Sequence, residues 1–323
     1  MKKKNTNKLV LVLCDYGLII ALCLIILAVS LTNKSFLTIS NIFNILRQIA
    51  ATGIMAVGVS TVIIAGHMDL SIESITTMAG VVCVTYVKNG QDVLGIILAL
   101  LVGVGFGLLN GIIITSITSK KGRNGESFII TYGMQSAIAA AALLYTGGVY
   151  MNLKGGTFHS FLGKGMTPVI IFGVIAIILA YVMGHTPFGR SVYFLGGNEA
   201  AARMSGKRVK LHTILVFLIA GVCSAIAGIV LTARISAASS TFGTGLALDA
   251  IAGVVVGGTP LSGGKGSVEK TVLGVIVMGV LQNALRILNI DTYPQMMIRG
   301  AIIILAVLLD IFANRIKERE AKA

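Results

Sequence analysis

The sequence predicts an all-α membrane protein: a polytopic helical bundle of about ten spans, forming a single transmembrane domain over residues 1–323. Three observations predict it. Hydrophobic residues make up 55% of the chain and charged residues only 12%, a balance that a soluble domain of this length does not show. The apolar residues are gathered into long runs separated by short polar stretches, many of them near the roughly 20 residues that a helix needs to cross a hydrocarbon core. The net charge of +14 would suggest nucleic acid in a soluble chain, but its distribution follows the rule that Lys and Arg stay in the cytoplasm. No nucleic-acid partner is therefore expected.

In chain order, Lys2, Lys3, Lys4 and Lys8 precede an apolar run over residues 9–31. At about 23 residues that run is long enough to span. Leu13 before Cys14 lacks the small residues of a cleavage site, so the run reads as a signal anchor. Apolar segments follow at Ile45–Ala65, Ile72–Val87, Val93–Thr118, Phe128–Tyr145, Pro168–Gly184, Leu211–Leu231, Leu246–Gly258, Val268–Leu288 and Met296–Phe312.

With the N-terminus inside, ten crossings put six segments in the cytoplasm: the N-terminal tail, a Gly66–Ser71 turn, the Ser119–Gly125 loop, residues 185–210, a Thr259–Ser267 turn and the tail 314–323. Together with the adjoining Lys270 these hold 18 of the 26 Lys and Arg residues, so charge supports the parity. Cys14, Cys23, Cys83 and Cys223 lie within apolar runs, with neither a metal-site spacing nor a paired framework, and read as packing residues.

The stretch 186–210 is a polar, basic island. Asn198 can cap a short helix, Glu199 puts an acid in its first turn, and Ala200, Ala201 and Ala202 propagate it. Arg203 suits its negative end, Ser205 follows, and Gly206 can stop it in the left-handed conformation. About seven residues of helix span roughly 10 Å, too little to be stable alone, so a partner must pack against it.

Two interruptions resemble each other: AVGVSTVIIAGHMDLSIES over Ala56–Ser74 and AIAGVVVGGTPLSGGKGSV over Ala250–Val268. Each passes from small and β-branched residues through Gly to a Leu-Ser pair, Leu70-Ser71 and Leu261-Ser262. Each precedes a glycine-spaced segment ending in Asn110 or Asn283. Matched interruptions in two halves suggest an internal repeat and a pathway between its copies, because opened backbone is tolerated only beside protein or water. The pathway candidates are accordingly Asp69, Ser71, Asn110, Ser262 and Asn283.

Asp69 stands out, since a carboxylate near membrane depth is expensive. It either caps the helix opened by Leu70 and Ser71 or serves the pathway, and no other acid is expected to be buried. Asn110 and Asn283 either contact solute or bond a neighbouring helix. Gly103, Gly105 and Gly107 spell GxGxG, but no strand precedes them, so helix packing is the expected use. GTPLSGGKGS over Gly258–Ser267 lacks the glycine and the hydroxyl that a phosphate loop needs at Thr259 and Gly266. The chain should therefore not hydrolyse ATP, and Lys265 should lie near lipid phosphates. His67, His159, His185 and His212 are scattered, so neither a metal site nor catalysis is expected.

The chain resembles the membrane permease of ribose-type sugar importers of the ATP-binding-cassette class. The resemblance rests on the ordered set SFLTISNIFNILRQIA, GHMDLSIES, LLYTGG, TPFGRSVYFLGGNEAAARMSGKRV, GGTPLSGGKGS and RGAIIILAVLLD. It implies a plasma (inner) membrane location with both termini cytoplasmic and a homodimer or paired second permease. It also implies a cytoplasmic ATPase that binds the ATP and Mg, with no cofactor in this chain, and an extracytoplasmic binding protein. Gly197, Asn198, Glu199, Ala200, Ala201, Arg203, Ser205 and Gly206 would form the ATPase-coupling helix; the alternative is a linker helix drawn to anionic membrane lipid.

The family's first interruption is closer to GGIDLSVGS, so His67, Met68 and Glu73 depart from it, as Gly125-Glu126-Ser127 departs from a usual Pro-Pro. Such departures would favour an atypical cargo. Alternatives are a nucleoside, a quorum-signal furanoside or a branched-chain amino acid, and a different class altogether is an ion-coupled carrier with Asp69 as ligand.

Overall fold

The computed structural model describes residues 23–117, 123–153, 156–302, 304–305 and 308. Residues 9–22 of the expected first span, part of the 119–125 loop and the tail 314–323 lie outside the described residues. The chain is helical almost throughout: α1 (Cys23–Thr32), α2 (Ile39–Ile64), α3 (Ile72–Val87), α4 (Asp92–Ile117), α5 (Arg123–Thr146), α6 (Thr167–His185), α7 (Pro187–Gly197), α8 (Glu199–Met204), α9 (Val209–Ile235), α10 (Leu246–Val256), α11 (Val268–Ile287) and α12 from residue 292. Helices thus occupy all the described apolar segments. Six of them, α2, α4, α5, α6, α9 and α11, are long and apolar enough to cross a membrane, whereas α1, α3 and α10 are shorter.

Burial sorts the long helices. α2, α9 and α11 bury most of their surface within the protein, while α4, α5 and α6 leave most of theirs outward, as helices facing lipid do. α9 packs on α2, α3 and α4 and its Phe217 is fully buried. α4 buries Gly95, Ala99, Gly103, Gly107 and Gly111, one residue in four. That small stripe lets backbones approach closely. A Cβ on Gly103 would run into the Gly221 carbonyl oxygen of α9, and one on Gly221 into that of Gly103. Gly105 has nothing within 4 Å of its Cβ position, so two glycines of the GxGxG are helix contacts and the third is not.

The first interruption differs from the expected Gly66–Ser71 turn. The chain turns at Gly66, with φ 80, but Asp69 and Ser71 are fully buried, and residues 67–70 are non-helical and buried except for the half-buried Met68. Met68 N–H donates to Ser127 Oγ at 3.1 Å and Leu70 N–H to Thr131 Oγ1 at 3.2 Å. Those hydroxyls lie one turn apart on α5, so the segment runs back along α5. They satisfy amides that the interior would otherwise leave unpaired.

A second dip precedes α10. Ser236, at φ 57, ends α9, and Ala237–Ala238 pairs antiparallel with Met151–Asn152. The chain then turns through 239–245 against α3, where Gly243 N–H donates to Thr77 Oγ1 at 3.0 Å. α10 ends at Gly257, and a glycine-rich turn leads to α11, which Ser267 caps by accepting from Lys270 N–H at 3.2 Å.

Candidate functional site

The polar island folds as two capped helices. Thr186 caps α7 by accepting from Gly189 N–H, with Pro187 at the first helical position, where a missing N–H costs nothing. Asn198 then ends α7 and starts α8: its Oδ1 accepts from Ala201 N–H at 3.0 Å. Glu199 and Arg203 pair at 2.8 Å, an exposed (i, i+4) contact worth a few tenths of a kcal/mol at most, roughly. Gly206 stands at φ 73, with Gly206 N–H donating to Arg203 O and Lys207 N–H to Ala202 O, which closes the helix in the left-handed manner.

These are the expected caps, around a helix of six residues rather than about seven. Only Ala202 of α8 is buried, and Met204 is 89% exposed. The end of the helix therefore presents an uncovered surface.

The turn between α7 and the two interruptions is a seam of backbone. Gly264 N–H donates to the Ile64 carbonyl at 2.9 Å, and a Cβ on Gly196 would run into that same oxygen. A Cβ on Gly264 would lie 2.7 Å from Gly197 Cα, and one on Gly263 2.6 Å from Gly66 Cα. Tyr193 Oη donates to Gly266 O at 2.9 Å. The loop of the second interruption is thus clasped between the end of α2 and the end of α7, at a spacing that only glycine permits.

Of the five pathway candidates the structure brings three together. Asp69 Oδ1 accepts from Ser71 N–H at 2.9 Å and from Ser71 Oγ at 2.6 Å, and Asn110 Nδ2 donates to Ser71 Oγ at 2.7 Å. All three residues are fully buried. Asp69 therefore holds the residue that opens α3 and ties it to α4 through Asn110. Asn283 lies elsewhere, exchanging amide hydrogen bonds with Asn41 of α2 at 2.9 and 3.0 Å. Ser262 is exposed in the turn before α11.

One further acid, Asp249, is buried and another, Glu73, is half-buried, which corrects the expectation that Asp69 would be alone. Asp249, in the first turn of α10, pairs with Arg299 of α12 at 3.0 Å. The signal was present: one charge of each sign, each inside an apolar run. Glu73, in the first turn of α3, accepts from Gly245 N–H at 3.0 Å and Ala247 N–H at 3.3 Å, and from Gln135 Nε2 of α5. Its partners are 62 to 174 residues away, so spacing in the sequence gives no sign of them. No group of three or more His, Cys, Asp or Glu residues able to hold a metal ion occurs among the described residues.

Residues 41–307 match the family described as branched-chain amino acid transport system / permease component. The chain is 38% identical to the ribose import permease protein RbsC of Escherichia coli (strain K12) over 301 residues, covering 90% of this chain and 92% of the relative. It is 33% identical to the D-allose transport system permease protein AlsC of the same organism over 302 residues, covering 91% of each. It is also 33% identical to the L-arabinose ABC transporter permease protein AraH of Azospirillum brasilense over 304 residues, covering 91% and 86%. No solved structure matches it significantly.

Proposed function

We propose, from the premise that this chain belongs to the family of permease components of the branched-chain amino acid transport type, that it is the membrane-spanning subunit of an ATP-binding-cassette importer. Its cargo is a ribose-like monosaccharide or a related small polar solute, in keeping with relatives named for ribose, allose and arabinose. The chain is a transporter subunit and not an enzyme; a separate ATPase hydrolyses the ATP.

In this reading α1, α3, α10 and α12 cross with the six long helices, giving ten spans with both termini in the cytoplasm. The contact of Gly66 with Gly263 supports treating the two interruptions as copies of one repeat. An extracytoplasmic binding protein delivers the solute, and two permease chains, identical or paired, form the conduit. Asp69, Ser71 and Asn110 shape the start of α3 beside it, while Asn283 and Ser262 act from α11 and its preceding turn.

One observation carries the coupling role of residues 197–206: the glycine seam that joins the end of α7 to both interruptions at once. A six-residue helix transmits a push only if it moves as a rigid body, and α8 is capped at both ends. Its exposed Met204 and Arg203 are free to enter a groove of the ATPase. Displacing α8 then drags Gly196 and Gly197, and with them the Ile64 and Gly264 backbones, which border the two broken segments.

The test is sugar uptake by liposomes holding this chain with its ATPase and binding protein. Uptake should require internal ATP and stop with vanadate. Glu199→Arg together with Met204→Asp should abolish uptake and release the ATPase on purification. Uptake without the ATPase, or normal uptake and assembly by that variant, would sink the coupling reading.

A further inference from the structure

Glu73 stands where two helices begin. α3 starts at Ile72 and runs away from the Gly66–Gly263 contact, whereas α10 starts at Leu246 and runs towards it. Their N-termini converge from opposite directions, and the Glu73 carboxylate takes Gly245 and Ala247 amides of one while lying in the first turn of the other. Helix N-termini favour an anion, and here the anion belongs to the chain. With Gln135 as a third donor, Glu73 keeps only about one of its four lone-pair sites open, enough to accept from a hydroxyl, and its charge turns away a second anion.

Beside this carboxylate lies a cavity of about 150 Å³ between α3, α5 and residues 240–244. Its wall is largely hydroxyl: Ser74, Tyr132, Ser136, Ser240 and Thr244. Ser136 gives its hydroxyl hydrogen to Tyr132 O. The hydroxyls of Ser74, Tyr132, Ser240 and Thr244 meet no partner among the described residues, and Ser74 is only 4% exposed. Ser74 is buried, whereas Tyr132, Ser136 and Thr244 are exposed, so the hollow opens outward; hydroxyls converging on such a hollow are matched by a molecule that can both donate and accept while carrying no charge.

The geometry points to a binding subsite for a neutral polyhydroxylated solute, with Ser74 and Thr244 contacting its hydroxyls from opposite walls and Glu73 as the positioning residue that holds α10 against α3. The subsite rests on the reading of this chain as a sugar permease, and adds where within it the solute sits. A solute there touches the start of α3, α5 and the turn that leads into α10, so motion of any of them changes its surroundings.

Ser74→Cys and Thr244→Cys, each in the full chain reconstituted with the ATPase and binding protein, test this with a charged, membrane-impermeant thiosulfonate reagent. D-ribose, D-allose and L-arabinose are the probes. Both thiols should react at several times the background of the unsubstituted chain, and at least one sugar should slow each reaction fivefold or more. Glu73→Gln should raise the KM for uptake of the protecting sugar more than it lowers the maximal rate.

If neither thiol reacts above background, or no sugar slows either reaction, the subsite is wrong. Uptake by the unsubstituted chain in the same vesicles separates the two readings. Normal ATP-driven uptake without protection overturns the subsite alone, whereas absence of uptake for every sugar overturns the transport reading.

Discussion

Gly196 and Gly184 sit in neighbouring helices, yet only one is constrained. A Cβ on Gly196 would run into the Ile64 carbonyl oxygen, whereas one on Gly184 meets nothing within 4 Å. Gly196→Ala should therefore reduce uptake at least tenfold while the ATPase still co-purifies, and Gly184→Ala, which only improves helix propensity by about 1 kcal/mol, should leave uptake unchanged. Vesicle uptake assays decide it, and equal behaviour of the two variants would refute a role for the seam. The Asn41–Asn283 pair gives a second contrast. Replacing Asn283 alone by Leu leaves Asn41 Oδ1 without its donor, while Asn41 Nδ2 keeps the Phe36 carbonyl, and should cost about 1 kcal/mol, towards the lower end because a membrane interior offers other partners. Thermal inactivation in detergent measures this, and the double Asn41→Leu/Asn283→Leu variant should recover most of the loss.

At the scale of elements, legibility followed the range of the interactions. α8 was readable to within a residue because its caps, Asn198 and Gly206, lie inside the same ten residues. α3 matched its apolar run at both ends because nothing else competes for Ile72–Val87. The burial of the segment before it was not legible, since what holds Met68 and Leu70 is a pair of hydroxyls 59 and 61 residues further on. The glycines of α4 show the same limit: the motif was rightly taken as packing, but only the partner helix tells Gly103 from Gly105. Gly103→Leu should separate α4 from α9 and cost several kcal/mol, roughly 3 or more as overpacking against backbone, with loss of folded protein on size-exclusion chromatography. Gly105→Leu points into open space and should elute as the unsubstituted chain does.

For the molecule as a whole, α10 is held at both ends and along its length. Glu73 takes its first amides, Arg299 pairs with its Asp249, and the turn after it is clasped by the seam. It therefore joins the glycine seam, where the power stroke is proposed to enter, to the hydroxyl-lined cavity at its other end. A helix tethered in this way shifts as one piece, and the ion pair decides whether α12 follows. Arg299→Met leaves Asp249 buried without its counter-charge and should destabilise the fold by about 3–5 kcal/mol, whereas the double Asp249→Leu/Arg299→Met variant, with both charges gone, should fold nearly as well as the original. If the pair served stability alone, that double variant would transport normally. Because it ties α10 to α12, the double variant should instead assemble, hydrolyse ATP and move less sugar per ATP than the unsubstituted chain. Uptake and phosphate release measured in the same vesicles give that ratio, and an unchanged ratio would reduce the Asp249–Arg299 pair to a packing device.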